Sequence, residues 1–299
     1  MNERTGLTYA LGAYLLWGIL PAYFVLVSAA SPFEIVPWRV LFSLIFCALL
    51  LTVTRTWPAL IAIFRTPRVL CAGGVAGLVI YLNWQVFIYG ALAGRVLETS
   101  LGYFINPIVT VLLGVILLRE KLRPLQWASV GVACVAVVIL TVDYGRLPWI
   151  SLVLAFSFAL YGYVKKRTGA RVDAIPGLTI ETVWLAPVAM IQLAVVSGTA
   201  GLTIISVSPV HTALLVGTGA ATAVPLLLFA AGARRLTLTQ VGLTQFVAPI
   251  LQFLFAVYIM HEAMPPARWV GFGIVWLAVL MLVIDMVGAG RRQRAAAGR

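Results

Sequence analysis

The chain has 299 residues, of which 62% are hydrophobic and 10% charged, with a mean hydropathy of +1.05 and a formal charge of +12. Too few polar side chains remain to cover a soluble globule of this size, so soluble enzymes and soluble binding modules are excluded and a bilayer is expected. A spanning helix needs about 20 mostly apolar residues. Ten such runs follow one another, at 7–27, 35–54, 69–90, 96–118, 125–142, 148–164, 178–197, 210–232, 240–260 and 268–287.

The first run, Leu7 to Val27, is preceded by Arg4 and followed by SAAS (Ser28–Ser31). It exceeds the roughly 7–15 apolar residues of a signal peptide, so it is expected to remain as a span. It carries Tyr14, Trp17 and Pro21 at helical spacing, and the third run carries Asn83 and Trp84. In the fourth, Thr99, Tyr103, Asn106 and Thr110 recur at steps of four, three and four, which places them on one helical face. Pro107 sits on that helix and frees the carbonyl of Tyr103. Ser157 and Tyr161 hold comparable places in the sixth run, and Gln245, Pro249 and Gln252 in the ninth. Gly73, Gly74 and Gly77 in the third run, and Gly217 and Gly219 in the eighth, let helices approach closely.

Ten spans with an intracellular amino terminus put all but Arg39, Arg95, Arg146 and Arg268 of the 21 Lys and Arg residues on the inner side. That asymmetry is the positive-inside rule. The basic tail RRQR therefore reads as an orientation anchor rather than a nucleic-acid arm, and both termini are expected in the cytoplasm. Cys47, Cys71 and Cys134 lie in apolar runs without metal or redox spacing and read as packing residues.

The stretch GYFINPIVTVLLGVILLREKL (Gly102–Leu122) is answered by TQFVAPILQFLFAVYIMHEAM (Thr244–Met264). With Pro107 set on Pro249, the same offset carries Phe104 to Phe246, Glu120 to Glu262, Pro124 to Pro266, Trp127 to Trp269, Gly131 to Gly273 and Asp143 to Asp285. Residues of such different chemistry in fixed register indicate an internal duplication. The expected fold is an all-α membrane protein of ten transmembrane helices in two five-helix repeats, 1–145 and 146–299. Five helices per copy, an odd number, invert the second copy in the membrane, as in many secondary transporters.

The phrases AYLLWGILPAYF, LETSLGYFINPIVTVLLG (Leu97–Gly114) and LLREKLRPLQW (Leu117–Trp127) resemble the RarD-type branch of the EamA family, within the drug/metabolite transporter superfamily. The resemblance covers essentially the whole chain. It implies ten helices in two inverted repeats, cytoplasmic termini and a central solute cavity. The family carries Gly before the glutamate that ends each repeat's fourth helix, whereas Arg119 and His261 hold those places here.

Intramembrane polar residues usually face a bundle interior or a watery pathway. The candidate solute-binding residues are thus Trp17, Asn83, Trp84, Tyr103, Asn106, Tyr161, Gln245 and Gln252. The polar stripes could equally be interhelical glue, and Pro107 and Pro249 could be hinges or fixed packing features. Glu98 and Glu181 are the carboxylates placed to enter a pathway, and Glu98 is the candidate for coupling. No cofactor, metal set or nucleophile with a base in reach is read from the chain.

The expected function is a permease in a bacterial inner membrane, moving a small organic solute, metabolite or drug by alternating access. The alternatives are an intramembrane enzyme acting on lipid-linked substrates, or a membrane scaffold or sensor. Expected partners are the solute and the bilayer, with no nucleic acid, and a homodimer is left open.

Overall fold

Prolines open many of the helices, because proline lacks the N–H that a first helical residue cannot pair and its fixed φ suits the position. In the computed structural model, which describes residues 3–118, 122–168, 172–233, 235–236 and 244–297, they stand at or next to the start of seven. The described helices are α1 (Glu3–Leu26), α2 (Pro32–Val53), α3 (Trp57–Phe64), α4 (Pro67–Leu92), α5 (Val96–Leu118), α6 (Pro124–Tyr144), α7 (Trp149–Thr168), α8 (Ala174–Thr199), α9 (Pro209–Ala233), α10 (Val247–Tyr258) and α11 (Pro266–Ala297). Arg119, Glu120 and Arg299, on which parts of the sequence reading rest, lie outside the described residues.

Eight of these helices are long and apolar enough to cross a membrane. The sixth and ninth expected spans are shorter. The apolar part of α7 covers Trp149–Lys165, because the run meets the basic end of its helix there. The ninth begins late: Gln245 and Phe246 form a turn and α10 starts at Val247. Pro249 consequently lies in the first turn of a helix, where proline needs no lost hydrogen bond, and not in a helix interior as Pro107 does. The helix α3 was not expected at all. It turns Leu60 and Ile63 inward and leaves Trp57, Ile61 and Phe64 exposed, the amphipathic pattern of a helix lying along a membrane surface.

Helices associate here without a hydrophobic drive from lipid, so close contact depends on shape and small residues. In the packing, α1 lies against α9 and α10, α2 against α8 and α9, α4 against α7 and α8, α5 against α7 and α10, and α6 against α11. Glycines permit several of these approaches. A Cβ on Gly219 of α9 would stand 2.5 Å from the Phe42 backbone of α2, and one on Gly77 of α4 would stand 3.1 Å from the Glu181 carbonyl of α8. Outward-facing Leu15, Ile19, Ile45, Leu49, Val138, Val142, Met190 and Ile284 leave an apolar exterior suited to lipid. Cys47 is buried, while Cys71 and Cys134 lie on that exterior rather than in the packing.

Polar ties close one end of the bundle. Glu34 at the start of α2 accepts from the Thr203 amide (2.7 Å) and hydroxyl (2.9 Å). Glu98 is bracketed by Arg95 (2.7 Å) and Arg146 (2.9 Å). Glu262 accepts from the Val96 and Leu97 amides at 2.5 and 3.1 Å and so caps α5. Asp143, closing α6, pairs with Arg268 at 3.0 Å. At the opposite end Asp285, late in α11, takes a forked bond from Arg123 at the start of α6.

Candidate functional site

An arginine inside an apolar run is costly unless something holds it. Arg39 lies in the second turn of α2 and is only 4% exposed. Its sequence position puts it at the outer end of the second run; the helix starts at Pro32 and carries it into the bundle. Its Nε donates to Thr222 Oγ1 of α9 at 2.6 Å. Its guanidinium lies 4.3 Å from the Trp84 ring centroid and 5.6 Å from that of Phe24. Its Nη1 is buried without a hydrogen-bond partner.

Beside Trp84 on α4, Asn83 is 1% exposed and joins three helices. Its amide donates to Ser157 Oγ of α7 at 2.9 Å and to the Leu154 carbonyl at 3.2 Å, while its oxygen accepts from the Tyr103 hydroxyl of α5 at 3.1 Å. Around these groups runs a chain of edge-on aromatic contacts: Phe24 to Phe87 at 6.2 Å, Phe87 to Tyr103 at 5.7 Å and Tyr103 to Phe158 at 5.8 Å. The result is one cation and a few neutral hydrogen-bonding groups set in aromatic walls, an arrangement suited to a small, partly apolar ligand.

The expected site residues divide into groups. Asn83, Trp84 and Tyr103 come together around Arg39. Tyr161 lies further along α7, where its hydroxyl donates to Glu181 at 3.1 Å beside the Lys165–Glu181 ion pair at 2.5 Å. Trp17 belongs to another aromatic group, 5.2 Å from Tyr14 and 5.7 Å from Phe229. Gln252 donates to the Trp17 carbonyl at 3.2 Å and leaves its own oxygen buried without a partner. Asn106 donates to the Ala155 carbonyl of α7 at 3.0 Å, and Thr110 bonds back to its own helix at 2.9 Å. Asn106 thus ties α5 to α7, while Thr110 is satisfied within α5. Gln245 is half-buried on the turn before α10.

Arg39, Thr222 and Phe24 were missed by sequence reasoning. The signal was a cation five residues into an apolar run, which the rule for intramembrane charges marks as functional. His211 shares a hydrogen bond with Thr203 at 2.9 Å in the cluster that also holds Glu34.

Comparison with known proteins places the chain among membrane transporters. The EamA-like transporter family profile matches residues 4–142. Protein RarD of Streptomyces exfoliatus is 41% identical over 98% of this chain and 93% of its own length. Protein RarD of Escherichia coli K12 is 39% identical over 97% and 98%. A Bacillus subtilis protein named uncharacterized transporter YojE is 37% identical over 96% of each chain. A solved crystal structure 16% identical in sequence superposes with a TM-score of 0.58 over 94% of this chain and 97% of its own, which shows a common fold and nothing of the ligand. With both a family profile and relatives matched along nearly their whole length, the chain belongs to the EamA-like transporter family, among its RarD members.

Proposed function

We propose that the chain is a secondary carrier of a small organic solute, working by alternating access between two inverted five-helix repeats, 1–145 and 146–299. The observation that carries this reading is the way the packing exchanges under the repeat. Moving each helix to its repeat mate turns the α5–α7 pair into α10–α1, α4–α7 into α9–α1 and α4–α8 into α9–α2, while α2–α8, α5–α10 and α6–α11 map onto themselves. The glycines follow, since Gly77 on α4 and Gly219 on α9 are repeat mates and each meets the other half's second helix. A protein whose halves are interchangeable can adopt two arrangements of similar energy, one open to each side.

The buried cluster supports the reading further, because α2, α4 and α5 of one half and α7 and α9 of the other all contribute to it. A solute held there would be released when the halves rock apart. We assign Asn83, Trp84 and Tyr103 to solute contact, with Trp17, Gln245 and Gln252 along the pathway, and place both termini in the cytoplasm of a bacterial inner membrane.

The test is counterflow in proteoliposomes, with chemical analysis of the solute recovered inside. Expected is saturable uptake of unaltered solute, reduced at least about tenfold in Tyr103→Ala at normal abundance and insertion. Recovery of a chemically altered solute would replace the carrier reading with an intramembrane enzyme. Normal uptake by both Tyr103→Ala and Asn83→Ala would move the site elsewhere.

A further inference from the structure

Every arginine at the polar ends just described meets a carboxylate: Arg95 and Arg146 meet Glu98, Arg123 meets Asp285, and Arg268 meets Asp143. Arg39 is the exception, for among the described residues no carboxylate comes within ion-pair distance of it. Its repeat mate is Glu181, a buried residue of opposite charge. That charge is already answered by Lys165 and Tyr161, so the mate does not neutralise Arg39.

A guanidinium carries five N–H donors in a planar fork. Here one donor is used on a neutral hydroxyl, one face lies on Trp84, and Nη1 points to no acceptor although it is buried. One turn along the same helix, Ser43 Oγ is also fully buried and without a partner. Leaving a charge and a hydroxyl of one helix face unanswered is a large stability cost, of the kind tolerated where a ligand completes the set.

We infer that Arg39 is the anion-recognition residue of the site and that the carried solute is a monocarboxylate with an apolar body. This deepens the carrier reading and rests on it. One positive charge balances one negative charge, so a monocarboxylate matches the site where a phosphate ester would leave excess charge in a low-dielectric interior. The guanidinium fork fits the two carboxylate oxygens side by side. Ser43 supplies a neutral donor next to it. The rings of Trp84, Phe87 and Tyr103 accept the rest of the molecule, and Thr222 and Trp84 hold the guanidinium in plane before the solute arrives.

The experiment uses the full-length protein purified in detergent. Thermal unfolding is followed with 4-methylpentanoate, 3-phenylpropanoate and indole-3-acetate, each set against its own primary amide and against inorganic phosphate. At about 10 mM, at least one acid is expected to raise the midpoint by about 2–4 °C, while its amide and phosphate do not. Arg39→Lys is expected to keep a smaller rise and Arg39→Met to lose it. The ligand-free midpoint of Arg39→Met should equal or exceed that of the unaltered protein, because the substitution removes an uncompensated buried charge. That value also reports whether the variant folds, and Arg39→Lys decides the matter if it does not.

Equal stabilisation by acids and amides, no stabilisation by any acid, or a rise retained in Arg39→Met overturns the assignment. Counterflow of the same compounds separates it from the carrier reading. Flux of amides in preference to acids removes the carboxylate and leaves a carrier. Stabilisation by acids with no flux of any compound keeps the anion site and removes transport.

Discussion

His261 holds a left-handed backbone with φ of 51°, a conformation that favours glycine. A side chain there crowds the following carbonyl, and glycine would not. His261→Gly is expected to stabilise the protein by about 0.5–1 kcal/mol after the entropy that glycine adds to the unfolded chain, seen as a higher unfolding midpoint in detergent. The neighbouring Glu262 gives a pH signature. Burial pushes its carboxyl from 4.5 up to about 6; Glu98 adds to the rise, while the Val96 and Leu97 amides and Arg268 oppose it. A carboxyl that holds its proton more tightly folded than unfolded adds stability below 4.5, and that part is lost as pH rises through about 6. Midpoints measured across this window should fall with pH in the unaltered protein and fall less in Glu262→Gln. At Glu98 two arginines already match the charge. The proposal is that transport is driven by the solute's own gradient or coupled through Glu98 alone among the carboxylates, so an imposed pH gradient is expected to drive no uphill uptake in Glu98→Gln. Proton-driven accumulation by that variant would point to another proton carrier.

At the scale of elements, the contact between α5 and α7 decides how the site is held. A Cβ on Gly102 would stand 2.8 Å from the Ser151 carbonyl, and Asn106 ties the same two helices one turn on. Gly102→Leu is therefore expected to destabilise by about 1–3 kcal/mol through forced separation of backbones. Asn106→Ala should cost about 0.6 kcal/mol, the mean for a hydrogen bond between membrane helices, with solute selectivity unchanged. Detergent unfolding midpoints and counterflow on the same preparations check both. The stripe on α5 thus serves two purposes: Tyr103 turns toward Asn83 and the aromatic walls, while Asn106 and Thr110 satisfy packing.

Across the whole molecule, α6 and α11 are tied at both ends by aspartates, Asp143 with Arg268 and Asp285 with Arg123. The first pair is better shielded: the Arg268 side chain is 16% exposed against 44% for Arg123. Asp285→Asn is expected to cost about 1 kcal/mol or less, as exposed pairs do, and Asp143→Asn more, because its partner would be left charged and largely buried. The two losses should add, since the pairs lie at opposite ends. Topology has its own test. Reporter fusions after residue 299 and within 55–68 should report the cytoplasm, and an extracytoplasmic signal at the carboxyl terminus would remove the even span count on which inversion rests.

Much of this architecture is legible in the residue order, because lipid imposes a simple rule: each apolar run must become a helix that satisfies its own backbone. Composition and run length therefore gave the all-helical membrane class, and matched Pro, Glu, Trp and Asp at one fixed offset are the sequence basis of the proposed duplication. Asn83, Trp84 and Tyr103 could be nominated because polar groups in apolar runs seek one another. The grouping could not be read the same way. Whether Asn106 meets solute or the Ala155 carbonyl depends on which helix packs against α5, and periodicity names a face without naming its neighbour. The same limit hid Arg39. Its sequence position fits the outer end of a span, and only the start of α2 at Pro32, with Trp84 and Thr222 brought alongside from α4 and α9, makes it a buried cation that meets no carboxylate among the described residues. A charge acquires meaning from the groups that fail to neutralise it, and those come from distant parts of the chain.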